Sequence, residues 1–277
     1  MIAEFLITFR ETLEAALIVG IVLSYLSKTK QTNYNNVVYI GIVSGLMASI
    51  IGALLFINIA GGFTGRAEEI FEGVTMLIGA ALLTTMILWM MKQRHIAVEL
   101  EHKVAREVSE EHKFGLFLLV FISVLREGIE TVIFLGAASF VSQNNTMIGA
   151  LTGIIVAIFL GYLIFVSSMK INIKMFFNVT SILLILFAAG LVAQGVHELQ
   201  EALIIPPIVE HVWNINPEVN VDGTYPLFHE KGSIGSLLKG LFGYNGDPSL
   251  IEVLSYILYM IIIILLWTNI KKVHKFI

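Results

Sequence analysis

The sequence predicts an all-α integral membrane protein with seven transmembrane helices, built as two inverted three-helix repeats plus a C-terminal helix. Three observations carry this. Hydrophobic residues make up 57% of the chain and charged residues 14%, where soluble domains carry about a quarter charged. Seven apolar runs reach the ~20 residues that cross a bilayer. A short charged motif recurs inside two of those runs, in the first and the fourth.

The runs are 2–27, 37–60, 70–91, 114–141, 147–168, 175–196 and 250–270. They are too long and too continuous for barrel strands, which alternate over roughly ten residues. The first run is read as a span rather than a signal peptide, because it lacks a basic leader and a small-residue cleavage pattern. The chain has no cysteine, which excludes disulfides, thiolate zinc sites and iron–sulfur clusters.

The units expected are 1–91, the first repeat; 92–113, a polar helical linker; 114–196, the second repeat; 197–249, an extracytoplasmic loop; and 250–277, the last helix with a basic tail. The linker mixes both signs of charge at helical spacing and reads as a solvated helix, so its His95, His102 and His112 carry no site. The loop holds all five prolines and reads as irregular, with short helices over one mouth of the bundle.

Lysine and arginine set the orientation. With the N-terminus outside, the inner segments hold Lys28, Lys30, Lys92, Arg94, Lys103, Arg106, Lys113, Lys170, Lys174, Lys271, Lys272 and Lys275, and the outer ones only Arg66, Lys231 and Lys239. The expected topology is a multi-pass protein of the cytoplasmic membrane, N-terminus out and C-terminus in.

Three landmarks recur in order. Arg10-Glu11-x-x-Glu14 in the first run returns as Arg126-Glu127-x-x-Glu130 in the fourth. Gly41-x-x-x-Gly45 returns as Gly149-x-x-x-Gly153, and Phe71 to Thr75 resembles Phe177 to Thr180. An odd number of spans per unit inverts the second copy, an architecture that places a site near the midplane between repeats.

On a helix, Arg-Glu-x-x-Glu occupies an arc of about 100°, a charged face that must turn from lipid. Six such charges cost on the order of 15–20 kcal/mol if nothing offsets them. Two arginines against four glutamates leave a carboxylate-rich centre. Helix–helix locks would explain one glutamate per arginine, but not the second or the duplication. Carboxylate oxygens suit hard cations, so the motif reads as a cation pathway. Met86, Met90 and Met91 read as packing rather than as a copper(I) site. Alternatives are an exporter of small cationic organic solutes and a transporter of another divalent metal.

Further acids mark the outer side. Glu68, Glu69 and Glu72 open the third span, where the helix dipole favours them anyway. His197, Glu198 and Glu201 end the sixth, where the dipole disfavours acids and a metal-entry role gains weight. With Glu210, Glu218, Asp222, Glu230 and Asp247, against Lys231 and Lys239, they form an acidic mouth that concentrates cations. His211 and His229 read as solvated.

The doubled motif in the first and fourth of seven spans, with the stretch Gly190 to Pro206, resembles the oxidase-dependent iron transporter family, the high-affinity iron permeases that include bacterial Efe-type ferrous or ferric permeases. The resemblance covers essentially the whole chain. It implies a non-enzymatic iron importer with Glu11, Glu14, Glu127 and Glu130 as translocation ligands, flanked by Arg10 and Arg126. It likens Glu68, Glu69 and Glu72 to the family's second acidic element. Iron, as Fe³⁺ or Fe²⁺, is then substrate and no cofactor is held permanently. The expected surroundings are the lipid bilayer, a separate oxidase or extracytoplasmic iron-binding protein, and a homo-oligomer, with no nucleic acid.

Overall fold

The computed structural model describes residues 2–92, 96–109, 112–141, 146–166, 173–220 and 222–273. Arg94, His95, Lys170 and Lys275 lie outside the described residues. The elements are α1 (Ile2–Lys28), α2 (Asn35–Ala60), α3 (Arg66–Lys92), α4 (Ile96–Ser109), α5 (Lys113–Val141), α6 (Thr146–Val166), α7 (Ile173–Glu201), α8 (Ser233–Phe242) and α9 (Leu250–Val273), with no strand among the described residues.

Five of these helices are long and apolar enough to cross a membrane: α2, α3, α6, α7 and α9. α1 and α5 have the length, 27 and 29 residues, but each carries an Arg-Glu-x-x-Glu motif in mid-helix. Seven long helices therefore coincide with the seven apolar runs, and the two that are least lipid-like hold the charge.

The packing is pairwise. α1 lies on α6, α2 on α5 and α3 on α7, with α1 also against α5. Small residues set these distances. A Cβ on Gly45 would stand 2.9 Å from Val124, and one on Gly41 3.1 Å from Val120, so α2 and α5 meet almost backbone to side chain. Gly153 of α6 abuts Thr8 of α1 in the same way, and the Thr8 hydroxyl donates to the Ala150 carbonyl at 2.9 Å. Thr8 lies two residues before Arg10 and Val124 two before Arg126, so the two glycine contacts sit at matching places relative to the motifs. Gly73 and Gly195 bring α3 and α7 together, each built Cβ falling 2.9 Å from the other's carbonyl oxygen.

Only Val38, Gly41, Gly45 and Ser49 of α2 are buried, a single stripe at helical spacing, while Ile40, Leu46, Ile50 and Leu54 are exposed. An apolar face that large has no place in water and matches lipid. α7 lies at the centre, with Leu184, Ala188 and Leu191 packed against Met76, Leu83 and Phe134.

Two segments differ from expectation. α4 is not a fully solvated helix: Val104 and Val108 pack with Leu26 and Leu116, docking it on α1 and α5 while His102 and Lys103 face outward. The connection between α7 and α9 does not simply cover one mouth. Its helix α8 contacts α7, α1 and α5, Leu241 joins the central core, and Gly243, left-handed at φ 70°, closes on Gly190. Gly190 lies three turns inside α7, a depth of about 16 Å from its C-terminal end. The loop therefore re-enters the bundle. Within it His229 is buried rather than solvated, and its Nδ1 accepts the Lys231 amide at 3.1 Å.

The glycine crossings make a direct prediction. Gly73→Leu overpacks the α3–α7 crossing and lowers the melting temperature by about 5–10 °C in detergent thermal-shift measurements. Gly52→Leu, whose Cβ would meet nothing within 4 Å, leaves it within about 2 °C.

Candidate functional site: a buried carboxylate and arginine centre

α1 is buried on nearly every side through its first half, where Glu4, Thr8, Arg10 and Glu11 all lie inside the bundle. Its charged face turns toward α5 and meets the second copy there. One carboxylate oxygen from each of Glu11, Glu14 and Glu127 comes within 4.8 Å of the others, the only such group among the described residues. Glu11 and Glu127 stand at hydrogen-bonding distance across the two helices. Two ionised carboxylates cannot donate to each other, and both Glu11 oxygens and Glu127 Oε2 lack a hydrogen-bond donor.

Each arginine pairs within its own motif, one helical turn apart. Arg10 Nε lies 3.2 Å from Glu14 Oε1, and Arg126 Nε 2.8 Å from Glu130 Oε1. The adjacent glutamates are farther, at 3.8 Å for Arg10–Glu11 and 3.9 Å for Arg126–Glu127. The copies are not equivalent in surroundings. Arg10 is 0% exposed and Arg126 46%. Glu130 is engaged by Arg126 and stands outside the three-carboxylate group.

α3 supplies partners that the sequence did not point to. Arg10 Nη2 donates to Met90 Sδ at 2.8 Å, and the Arg126 guanidinium lies 5.3 Å from the centre of the Trp89 ring. Of the three methionines read as packing, Met86 does lie in the core, Met90 caps an arginine, and the Met91 side chain lies outside the described residues.

The second group of acids gathers where α3 begins and α7 ends. Glu72 lies within electrostatic reach of Glu198, Glu68, Glu201 and Glu69, and Glu198 within reach of His197 and Lys239. The close Gly73–Gly195 crossing explains this, since it brings the two helix ends together. His197 is held on both sides: Nδ1 lies 3.1 Å from Glu252 Oε1 and Nε2 3.3 Å from Glu201 Oε1. Glu252 is itself a capping residue. Its carboxylate accepts the Ser249 amide at 3.0 Å while Ser249 Oγ accepts the Glu252 amide at 3.3 Å, and Asn245 Nδ2 donates to Glu252 at 2.7 Å. The spacing Ser249-x-x-Glu252 is a capping-box signature and was legible as one. Glu252 thus ties His197, and with it α7, to the start of α9.

A helical bundle with large apolar outer faces around a buried carboxylate–arginine centre fits one class, the multi-pass membrane proteins. Comparison with known proteins narrows it. Residues 1–272 match the Iron permease FTR1 family, and the chain belongs to that family. The ferrous iron permease EfeU of Escherichia coli O6:H1 is 36% identical over 274 residues, covering 94% of this chain and 93% of that protein. The protein of the same name in Yersinia pestis is 34% identical over 267 residues, at 94% and 91% coverage. An uncharacterised protein of Archaeoglobus fulgidus is 33% identical over 264 residues, at 94% and 92%. No solved structure matches the chain.

The inequality of the two arginines is testable. Arg10→Gln strands buried carboxylates and costs about 3–5 kcal/mol, seen as loss of monodisperse protein on size exclusion. Arg126→Gln removes a half-exposed guanidinium and costs less, about 1–3 kcal/mol, so that variant remains folded.

Proposed function

We propose that the protein imports iron, carried as the ferrous ion, across the cytoplasmic membrane through the centre formed by the two Arg-Glu-x-x-Glu motifs. The observation that carries this reading is the convergence of Glu11, Glu14 and Glu127 in a buried centre, where both Glu11 oxygens, Glu14 Oε1 and Glu127 Oε2 lack a hydrogen bond. Structural locks would leave each carboxylate paired; a cation site needs oxygens to spare. Glu130, one turn from Glu127 on α5, is the fourth ligand, released when Arg126 turns aside. Membership of the iron permease family and the ferrous permeases among its relatives support iron as the ion.

Glu68, Glu69, Glu72, Glu198 and Glu201 gather the ion at the outer end and pass it inward. His197, with both ring nitrogens occupied, holds helix ends together there. An inside-negative potential favours entry by about 2.3 kcal/mol per charge per 100 mV, roughly 5 for a divalent ion. An oxidase or an extracytoplasmic iron-binding protein would act as a separate polypeptide.

In this reading all seven long helices span the membrane, α1 and α5 shielded by their neighbours, with residues 1–91 and 114–196 as inverted repeats and the N-terminus outside. The exchange of partners supports the repeat: α1 on α6 is the counterpart of α2 on α5, and α3 on α7 is its own. Placed at matching distances from the motifs, the Gly153–Thr8 and Gly45–Val124 contacts support it too.

Radiolabelled iron uptake into proteoliposomes, with ascorbate and without, tests the function. Uptake should require ascorbate and resist competition by lysine or polyamines. Glu14→Gln and Glu127→Gln should each lower it more than about tenfold while remaining monodisperse, since a lost charge-assisted ligand weighs about 1.5–3 kcal/mol. Undiminished uptake in both variants would end the carboxylate-pathway reading. Topology is accessible because the chain is free of cysteine. In intact cells, Glu218→Cys should react with an impermeant maleimide and Lys103→Cys only after permeabilisation.

A further inference from the structure

We propose that Trp89 and Met90, adjacent at the end of α3, are positioning residues that give the two site arginines a second contact, to which they withdraw when an ion takes the carboxylates. The inference rests on the iron-site reading above.

Three observations carry it. One helix end reaches both arginines: Met90 Sδ accepts Arg10 Nη2 at 2.8 Å, and Trp89 lies under Arg126 at 5.3 Å. Each arginine then has its own-motif glutamate on one side, Glu14 or Glu130, and a neutral, polarisable group of α3 on the other. Finally, Trp89 is exposed, so its indole is not anchored in the apolar core and its contact with Arg126 is a surface of its own.

The chemistry of the holds matters. A thioether is a weak acceptor that never ionises, and an aromatic face attracts a guanidinium without neutralising it. An acid in either place would form a competing ion pair and deepen the negative charge. Trp89 and Met90 instead leave each arginine fully cationic but give it a second resting place. When an incoming ion takes the glutamates, the displaced guanidinium stays on α3. Without the holds, the arginine is a tethered cation that competes for the same oxygens, and external iron binds more weakly. Both holds lie on one helix, so displacement of α3 moves the two arginines together.

Equilibrium binding of ferrous iron, under ascorbate, to the purified full-length chain in detergent tests this. The variants are Trp89→Ala, Trp89→Phe and Met90→Leu, with Glu14→Gln as a site control. Trp89→Ala should raise the apparent Kd about tenfold and Trp89→Phe, which keeps a ring face, less than about threefold. Met90→Leu, nearly equal in volume, should raise it about threefold. The deciding arm repeats Trp89→Ala in an Arg126→Gln background, where the tryptophan change should have no further effect because the competitor is gone. An unchanged Kd in Trp89→Ala, or an equal loss with and without Arg126, overturns the positioning role. If wild type binds iron and Glu14→Gln does not, that overturn leaves the iron site standing. If wild type binds no iron, both fall. Rescue by Trp89→Phe separates a lost hold from a lost fold.

Discussion

The four glutamates and Arg10 of the two motifs are largely buried between apolar helices, with Arg126 half-exposed, and the rest of the structure depends on how these charges are compensated. Buried charges are costly unless paired, so these answer one another. The pairing within each motif, one helical turn from arginine to glutamate, partly offsets the charge of two carboxylates. It leaves Glu11 and Glu127 facing each other across α1 and α5. Helix order, crossing distances and the position of α3 set how the two halves of that centre meet.

The glycine crossings are the means. Charged faces of α1 and α5 meet only because α6 and α2 press on their backs, and those approaches need Gly153 and Gly45 where any side chain would collide. α3 and α7 cross at Gly73 and Gly195, which joins the start of α3 and the end of α7 into one acidic patch, while the far end of α3 reaches the arginines. The inward fold of α8 against Gly190 closes the same core from the loop side.

Much of the centre was legible because the signal was doubled and out of place. Arg-Glu-x-x-Glu inside an apolar run contradicts its surroundings, and a second copy turns an oddity into a site. The long helices were legible for the complementary reason, since continuous apolar runs have few alternatives. Trp89 and Met90 were invisible. A tryptophan and a methionine at the end of a membrane helix are ordinary, and only the approach of α3 to α1 and α5 gives them guanidinium partners.

From the sequence alone came the class of protein, the number of long helices, the motif residues and the excess of carboxylate over arginine. These depend on composition and on spacing along one helix, where neighbours three and four residues apart must share a face. Only the tertiary structure decided which carboxylates converge, that Arg10 is sealed while Arg126 is half open, that His197 is held by Glu252, and that α8 re-enters the bundle. Each is a relation between residues far apart in the chain, set by which helix backs can approach, and no local pattern encodes it.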